Sequence, residues 1–173
     1  MKIRIPVRRG TVSQLLLPQE QYTYFSLTKE TTSGAPEAYT EELSQLAELH
    51  RMLQTADAVP TGPSFVWRPS RSATAAATEA HLALPVAGPL KTTLPLRFGV
   101  RPATSALGTL WVGAPYATEP VYERLWAYVA KKGFQQARYT TALEIYYSNP
   151  LAPPAFAAFQ TGVFLLADGD APA

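Results

Sequence analysis

Apolar positions in residues 36–55 recur every three or four residues: Leu43, Leu46, Leu49 and Leu53, with Ala47, make one stripe. That period predicts an amphipathic helix from Pro36 to about Thr55, with Pro36 in the first turn and Glu37 beside it. A second stripe, Tyr122, Leu125, Trp126 and Val129, predicts a helix that Thr118-Glu119-Pro120 opens and Lys132 ends. Gly133 stands where a left-handed cap would close it. Around these stripes lie short apolar runs of strand length, bounded by Pro, Gly, Ser and Asn. They predict strands at 12–17, 22–27, 64–67 and 79–86, and again at 94–100, 106–112, 143–147 and 161–167.

The two series follow one order: strand, strand, helix, strand, strand. Pro102 matches Pro18, and the segment 88–93 is a joint too short to separate independent domains. Repeat one covers about 12–86 and repeat two about 94–167, within a single domain over 1–173. The repeat is one of topology, because residue identity between the halves is slight. Helices with one apolar face need a sheet to cover. The expected fold is therefore α+β: two strand–helix–strand–strand repeats forming a curved antiparallel sheet, with two helices on one face and a ligand groove on the other.

Composition narrows the chemistry. The 173 residues are 47% hydrophobic and only 16% charged, which excludes a disordered chain. With no Cys there is no disulfide scaffold, thiolate metal site or Cys nucleophile. The net charge of +2 and the lack of a helix-turn-helix or zinc-finger pattern argue against direct nucleic-acid binding. The basic start (Lys2, Arg4, Arg8, Arg9) reads as a solvated first segment. It lacks the apolar stretch of a signal peptide, and no apolar run approaches membrane-spanning length, so the expected location is cytoplasmic. No P-loop, GxGxxG or GxSxG motif is present. His50 and His81 are too far apart, and too poorly supplied with acidic neighbours, for a metal site, so neither metal nor cofactor is expected. What remains is the aromatic content: 9 Tyr, 7 Phe and 3 Trp in a charge-poor chain.

Several segments, taken in order, carry a resemblance. They are Gly113-Ala114-Pro115-Tyr116, then Val121 to Val129, Lys132-Gly133-Phe134, and Leu143-Glu144-Ile145-Tyr146-Tyr147-Ser148-Asn149-Pro150. The last looks like an "E-x-Y-x-x-P" signature, and Pro85-Val86 ends the closing strand of the first repeat. On these residues the chain resembles the gyrase-inhibitor-like (GyrI-like) family, whose fold also serves as the effector-binding domain of multidrug-responsive transcription activators. Two departures are visible: Trp111 stands where the family often has His, and the loop after Pro150 lacks acidic residues.

The resemblance implies a stand-alone small-molecule-binding protein that senses or sequesters a lipophilic, often cationic ligand between the repeats. A strand glutamate meets the ligand's charge, and by position this is Glu144. Some relatives look like hydrolases of cyclopropane-containing xenobiotics; Glu144 with Tyr146 or Tyr116 could supply a carboxylate and an acid for such chemistry. The family name also raises a protein partner, but no inhibitory segment is identifiable.

Read from the residues alone, alternation puts Leu143, Ile145 and Tyr147 on one face, toward the helices. Glu144 and Tyr146 then share the open face. Glu144 is the only acidic residue between Glu123 and Asp168, so no acidic surface accounts for it. A carboxylate among rings would attract an organic cation, although a solvated strand glutamate is the plainer alternative. The candidate pocket walls are Tyr146, Trp111, Tyr116, Tyr24, Trp67, Phe65 and Phe164, each of which could equally be core packing. Tyr122, Trp126 and Phe134 are assigned to the core.

Overall fold

The structure, a computed structural model, describes residues 7–27, 36–69, 80–88, 90–91 and 95–167. Lys2, Arg4, the loops at 28–35 and 70–78, and the predicted strand ends Glu79 and Leu94 lie outside the described residues. The elements run β1 (Ser13–Leu17), β2 (Glu20–Leu27), α1 (Pro36–Thr55), β3 (Phe65–Arg68) and β4 (Ala80–Pro85). The second series is β5 (Arg97–Arg101), β6 (Thr104–Val112), α2 (Glu119–Lys132), β7 (Thr141–Tyr146) and β8 (Gln160–Leu166). Every predicted element is present, with ends moved by a few residues.

All eight strands form one antiparallel sheet in the order β1-β6-β8-β7-β3-β4-β2-β5. The order reads the same from both ends once each strand is exchanged for its counterpart in the other repeat. A local two-fold axis therefore runs between β3 and β7, where Val66 pairs with Glu144. The extra first strand of each repeat does not stay at home. β1 adds to β6 of the second repeat and β5 adds to β2 of the first.

Both helices pack on one face. Leu46, Leu49 and Leu53 of α1 meet Val66, Leu82 and Leu84, while Val121, Leu125 and Val129 of α2 meet Leu107, Val163 and Leu165. The stripe on α1 runs Tyr39, Glu42, Leu46, Leu49, Leu53; Ala47, expected within it, is exposed. Gly133 ends α2 at φ 69°, and Phe134 N–H closes the cap on the Val129 carbonyl.

The opposite face is also buried, because the sheet curls into half a barrel and its own side chains fill the hollow. Leu17, Tyr22, Phe65, Leu143, Ile145 and Phe164 meet there. The Phe164 ring packs closely against two strand glycines. A Cβ on Gly108 would come within 2.4 Å of this ring, and one on Gly162 within 2.8 Å. Gly108→Ala is expected to destabilise the protein by about 1–3 kcal/mol, through overpacking that neither ring nor backbone can relieve. Urea unfolding checks this; a change within ~0.5 kcal/mol would show that the ring is free to move.

Candidate functional site

The site begins with strand parity. On β7, Ala142, Glu144 and Tyr146 point to the helices, while Leu143 and Ile145 point into the hollow. This inverts the expected assignment. Sequence reasoning gave Leu143 and Ile145 to the helices because apolar residues mark the buried face, but here both faces are buried. Glu144 is not on an open face: it is 2% exposed, beside the local two-fold axis and under α2.

Arg68, Tyr122 and Thr118 hold it by hydrogen bonds. Arg68 Nε donates to Oε1 and Arg68 Nη2 to Oε2, both at 3.3 Å, from the end of β3. The Tyr122 hydroxyl donates to Oε1 at 2.6 Å, and the Thr118 hydroxyl at 3.3 Å. Thr118 occupies the N-cap position of α2, yet its side chain caps nothing. Its hydroxyl goes to Glu144 instead, and the positive end of the helix faces the carboxylate. Tyr122, assigned to the core, is both core and ligand of Glu144, with its ring packed under α2.

A second buried carboxylate lies beside the first. Glu42 of α1 is 4% exposed and accepts a hydrogen bond from the Tyr146 hydroxyl. Burial pushes its pKa up to about 7; Arg68 and the Tyr146 bond oppose that rise, and the negative charge of Glu144 adds to it. The Tyr146 hydroxyl is raised well above its ordinary value by burial, then by Glu42 and Glu144. Burial works against the charge of Arg68, but the two carboxylates more than reverse it and hold the guanidinium protonated. Its Nη1 is buried and finds no hydrogen-bond partner among the described residues. Among the described residues the cluster thus sets two carboxyl groups against one guanidinium.

Aromatic rings close around this cluster on the α1 side. Tyr39 lies 6.5 Å from Tyr146 and 5.7 Å from Tyr116, and Phe156, 41% exposed, packs edge-on against Tyr39 and Tyr116. Phe159 backs Tyr146 at 6.0 Å. Of the rings expected around Glu144, the structure brings Tyr146 and Tyr116 to this side. Trp111 packs beside α2 and donates its indole N–H to the Ala114 carbonyl at 2.8 Å, bracing the turn before the helix.

The other four rings are across the sheet. Phe65, Phe164, Tyr24 and Trp67 belong to the hollow, where Tyr24 stacks on His81 at 4.7 Å and Trp67 meets His81 edge-on. They share no face with Glu144, because they sit at the odd register positions of β3 and the matching positions of its neighbours. A cleft of about 710 Å³ opens at one end of the sheet, between the repeats. Glu20, Phe65, Arg101, Tyr146, Pro150 and His50 contribute to its walls; Glu42 and Glu144 are not among the residues that line it. Tyr146 is thus shared: it lines the cleft, and its hydroxyl binds Glu42.

Glu42 and Arg68 were missed from the sequence. Glu42 looks solvated within Thr40-Glu41-Glu42, yet it stands in register with Tyr39, Leu46, Leu49 and Leu53, and that spacing was the available signal. Arg68 follows Trp67 at what reads as a strand end. Among the described residues no group of His, Asp and Glu could hold a metal ion, and no helix is long and apolar enough to cross a membrane.

Neither a protein-family model nor a curated sequence matches the chain. Solved structures do. The EcmrR C-terminal domain superposes with a TM-score of 0.76 at 13% identity, over 91% of this chain and 97% of that one. Of the longer EcmrR chain solved with DNA, this chain spans 58%. SAV2435 bound to tetraphenylphosphonium matches at 0.52 with 9% identity, over 92% of this chain and 94% of the other. A hydrolase of Listeria innocua matches at 0.55 with 10% identity, over 91% of each chain. At these identities the likeness is one of fold: two helices on one face of a curled eight-stranded antiparallel sheet, consistent with the GyrI-like fold.

Proposed function

We propose that the protein binds a lipophilic organic cation, whose rings occupy the cleft at Tyr146 and whose charge is met by the Glu144–Glu42 pair. The observation that carries this reading is the imbalance of the buried cluster among the described residues: two carboxyl groups, one guanidinium, and a shell of tyrosines. A cation seated beside it would complete the charge balance, while aromatic faces add cation–π and apolar contact. The fold supports a small-molecule role, and one structural neighbour holds tetraphenylphosphonium. A sensing or sequestering protein in the cytoplasm fits this chemistry.

Binding is favoured over hydrolysis. Glu144 already accepts hydrogen bonds from Arg68, Tyr122 and Thr118, which commits it to holding charge rather than activating water. Calorimetric titration with tetraphenylphosphonium and with rhodamine 6G is expected to give micromolar affinity. Neutral triphenylphosphine oxide should bind at least ~10-fold more weakly, as should either cation to Glu144→Gln, given ~1.4 kcal/mol per decade. Equal affinity for the neutral and charged compounds, or no binding at millimolar concentration, would overturn the reading.

A further inference from the structure

The two carboxylates are held very differently. Glu144 is gripped by the two nitrogens of Arg68, by Thr118 and by Tyr122, so its charge has a dedicated partner. Glu42 receives one hydrogen bond among the described residues, from Tyr146. The groups that act on it are Tyr146 and Glu144 from β7, Arg68 from β3, and Tyr39 one turn earlier on its own helix, with Tyr116 behind. Arg68 cannot neutralise both carboxylates at once. In a site this dry the surplus negative charge is avoided by keeping a proton on the less supported group.

We propose that Glu42 exchanges its proton for the bound cation, while Glu144 remains the fixed partner of Arg68. This rests on the cation-binding reading above and adds its stoichiometry. A cation enters, the Glu42 carboxyl gives its proton to solvent, and the carboxylate left behind balances the ligand's charge. Tyr146 is placed to relay the change, since it lines the cleft and holds the Glu42 oxygen.

The consequence is ligand binding coupled to proton release, with a sign. Free Glu42 carries its proton below about pH 7. Near pH 6, binding of one tetraphenylphosphonium should release close to one proton; near pH 8.5 it should release almost none. Affinity should rise about tenfold between those two conditions.

Calorimetry of tetraphenylphosphonium binding in buffers of different ionisation enthalpy measures the proton count. Glu42→Gln should abolish both the release and the pH dependence, with weaker binding at high pH. Tyr146→Phe removes the hydrogen bond that steadies the carboxylate, so its release should persist to higher pH; this gives a second readout if the Gln variant fails to fold. Binding without proton release near pH 6, or release that survives in Glu42→Gln, overturns this inference alone. Absence of binding overturns the cation reading and this inference together.

Discussion

Replacement of Arg68 by Met is expected to cost about 3–5 kcal/mol of folding stability near pH 8. The guanidinium hydrogen-bonds Glu144 through two of its nitrogens, and its charge also reaches Glu42. A methionine would fill the volume of the aliphatic stem but leave two buried carboxylates without their guanidinium. Removing one partner of a buried pair is costly for that reason, whereas replacing the whole pair is often close to neutral. Combining Arg68→Met with Glu144→Gln should therefore recover most of the loss. The deficit of the single variant should also shrink near pH 5, where Glu42 is protonated. Urea unfolding of both variants at the two pH values reads this directly. A loss below ~1 kcal/mol for Arg68→Met would mean that water reaches the cluster, and the charge argument would fall.

The second large effect has the opposite sign. Glu42→Gln is expected to stabilise the protein near pH 8 and to change little near pH 5. The folded protein holds the Glu42 proton up to about pH 7, against a value of 4.5 for the free group. The contribution of Glu42 is therefore complete below about 4.5, declines as the pH rises toward 7, and is flat beyond. At one pKa unit per ~1.4 kcal/mol, ionising this carboxyl in the fold costs on the order of 3 kcal/mol. An amide never bears that charge and still offers Tyr146 an oxygen. Because His50 titrates in both proteins, the difference between the two unfolding curves isolates Glu42. Parallel curves from pH 5 to 8 would show that Glu42 is ionised throughout.

The fold was open to a reading of residues because its signals are local. The stripes at Leu46, Leu49 and Leu53 and at Tyr122, Leu125 and Val129 mark the helices. Pro18, Gly133 and the turn before Tyr116 mark breaks. The repeat then follows from the order of elements. The position of Glu144 was legible as an acid out of place, but its surroundings were not. Alternation along Leu143, Glu144 and Ile145 shows that two faces exist and cannot say which one meets helices when a curled sheet buries both. That ambiguity sent Glu144 to open space and placed Phe65, Trp67, Phe164 and Tyr24 beside it. Arg68 and Glu42 could be assigned only once β3, α1 and β7 were brought together, since Arg68 and Glu144 are joined across 76 positions of chain.

The exchange of first strands between the repeats also sets an order for synthesis. When the first repeat has left the ribosome, β2, β3 and β4 can pair at once, and β5 finds its place on β2 as soon as it emerges. β1 cannot do the same. Ser13 pairs with Gly108 and Leu17 with Thr104, so the oldest strand must wait, its backbone edge bare, until β6 is made. Leu17, fully enclosed in the finished protein, is exposed to the cell for that interval. A nascent chain halted before Thr104 should therefore present β1 as a sticky, chaperone-binding segment, and one extended past Val112 should not.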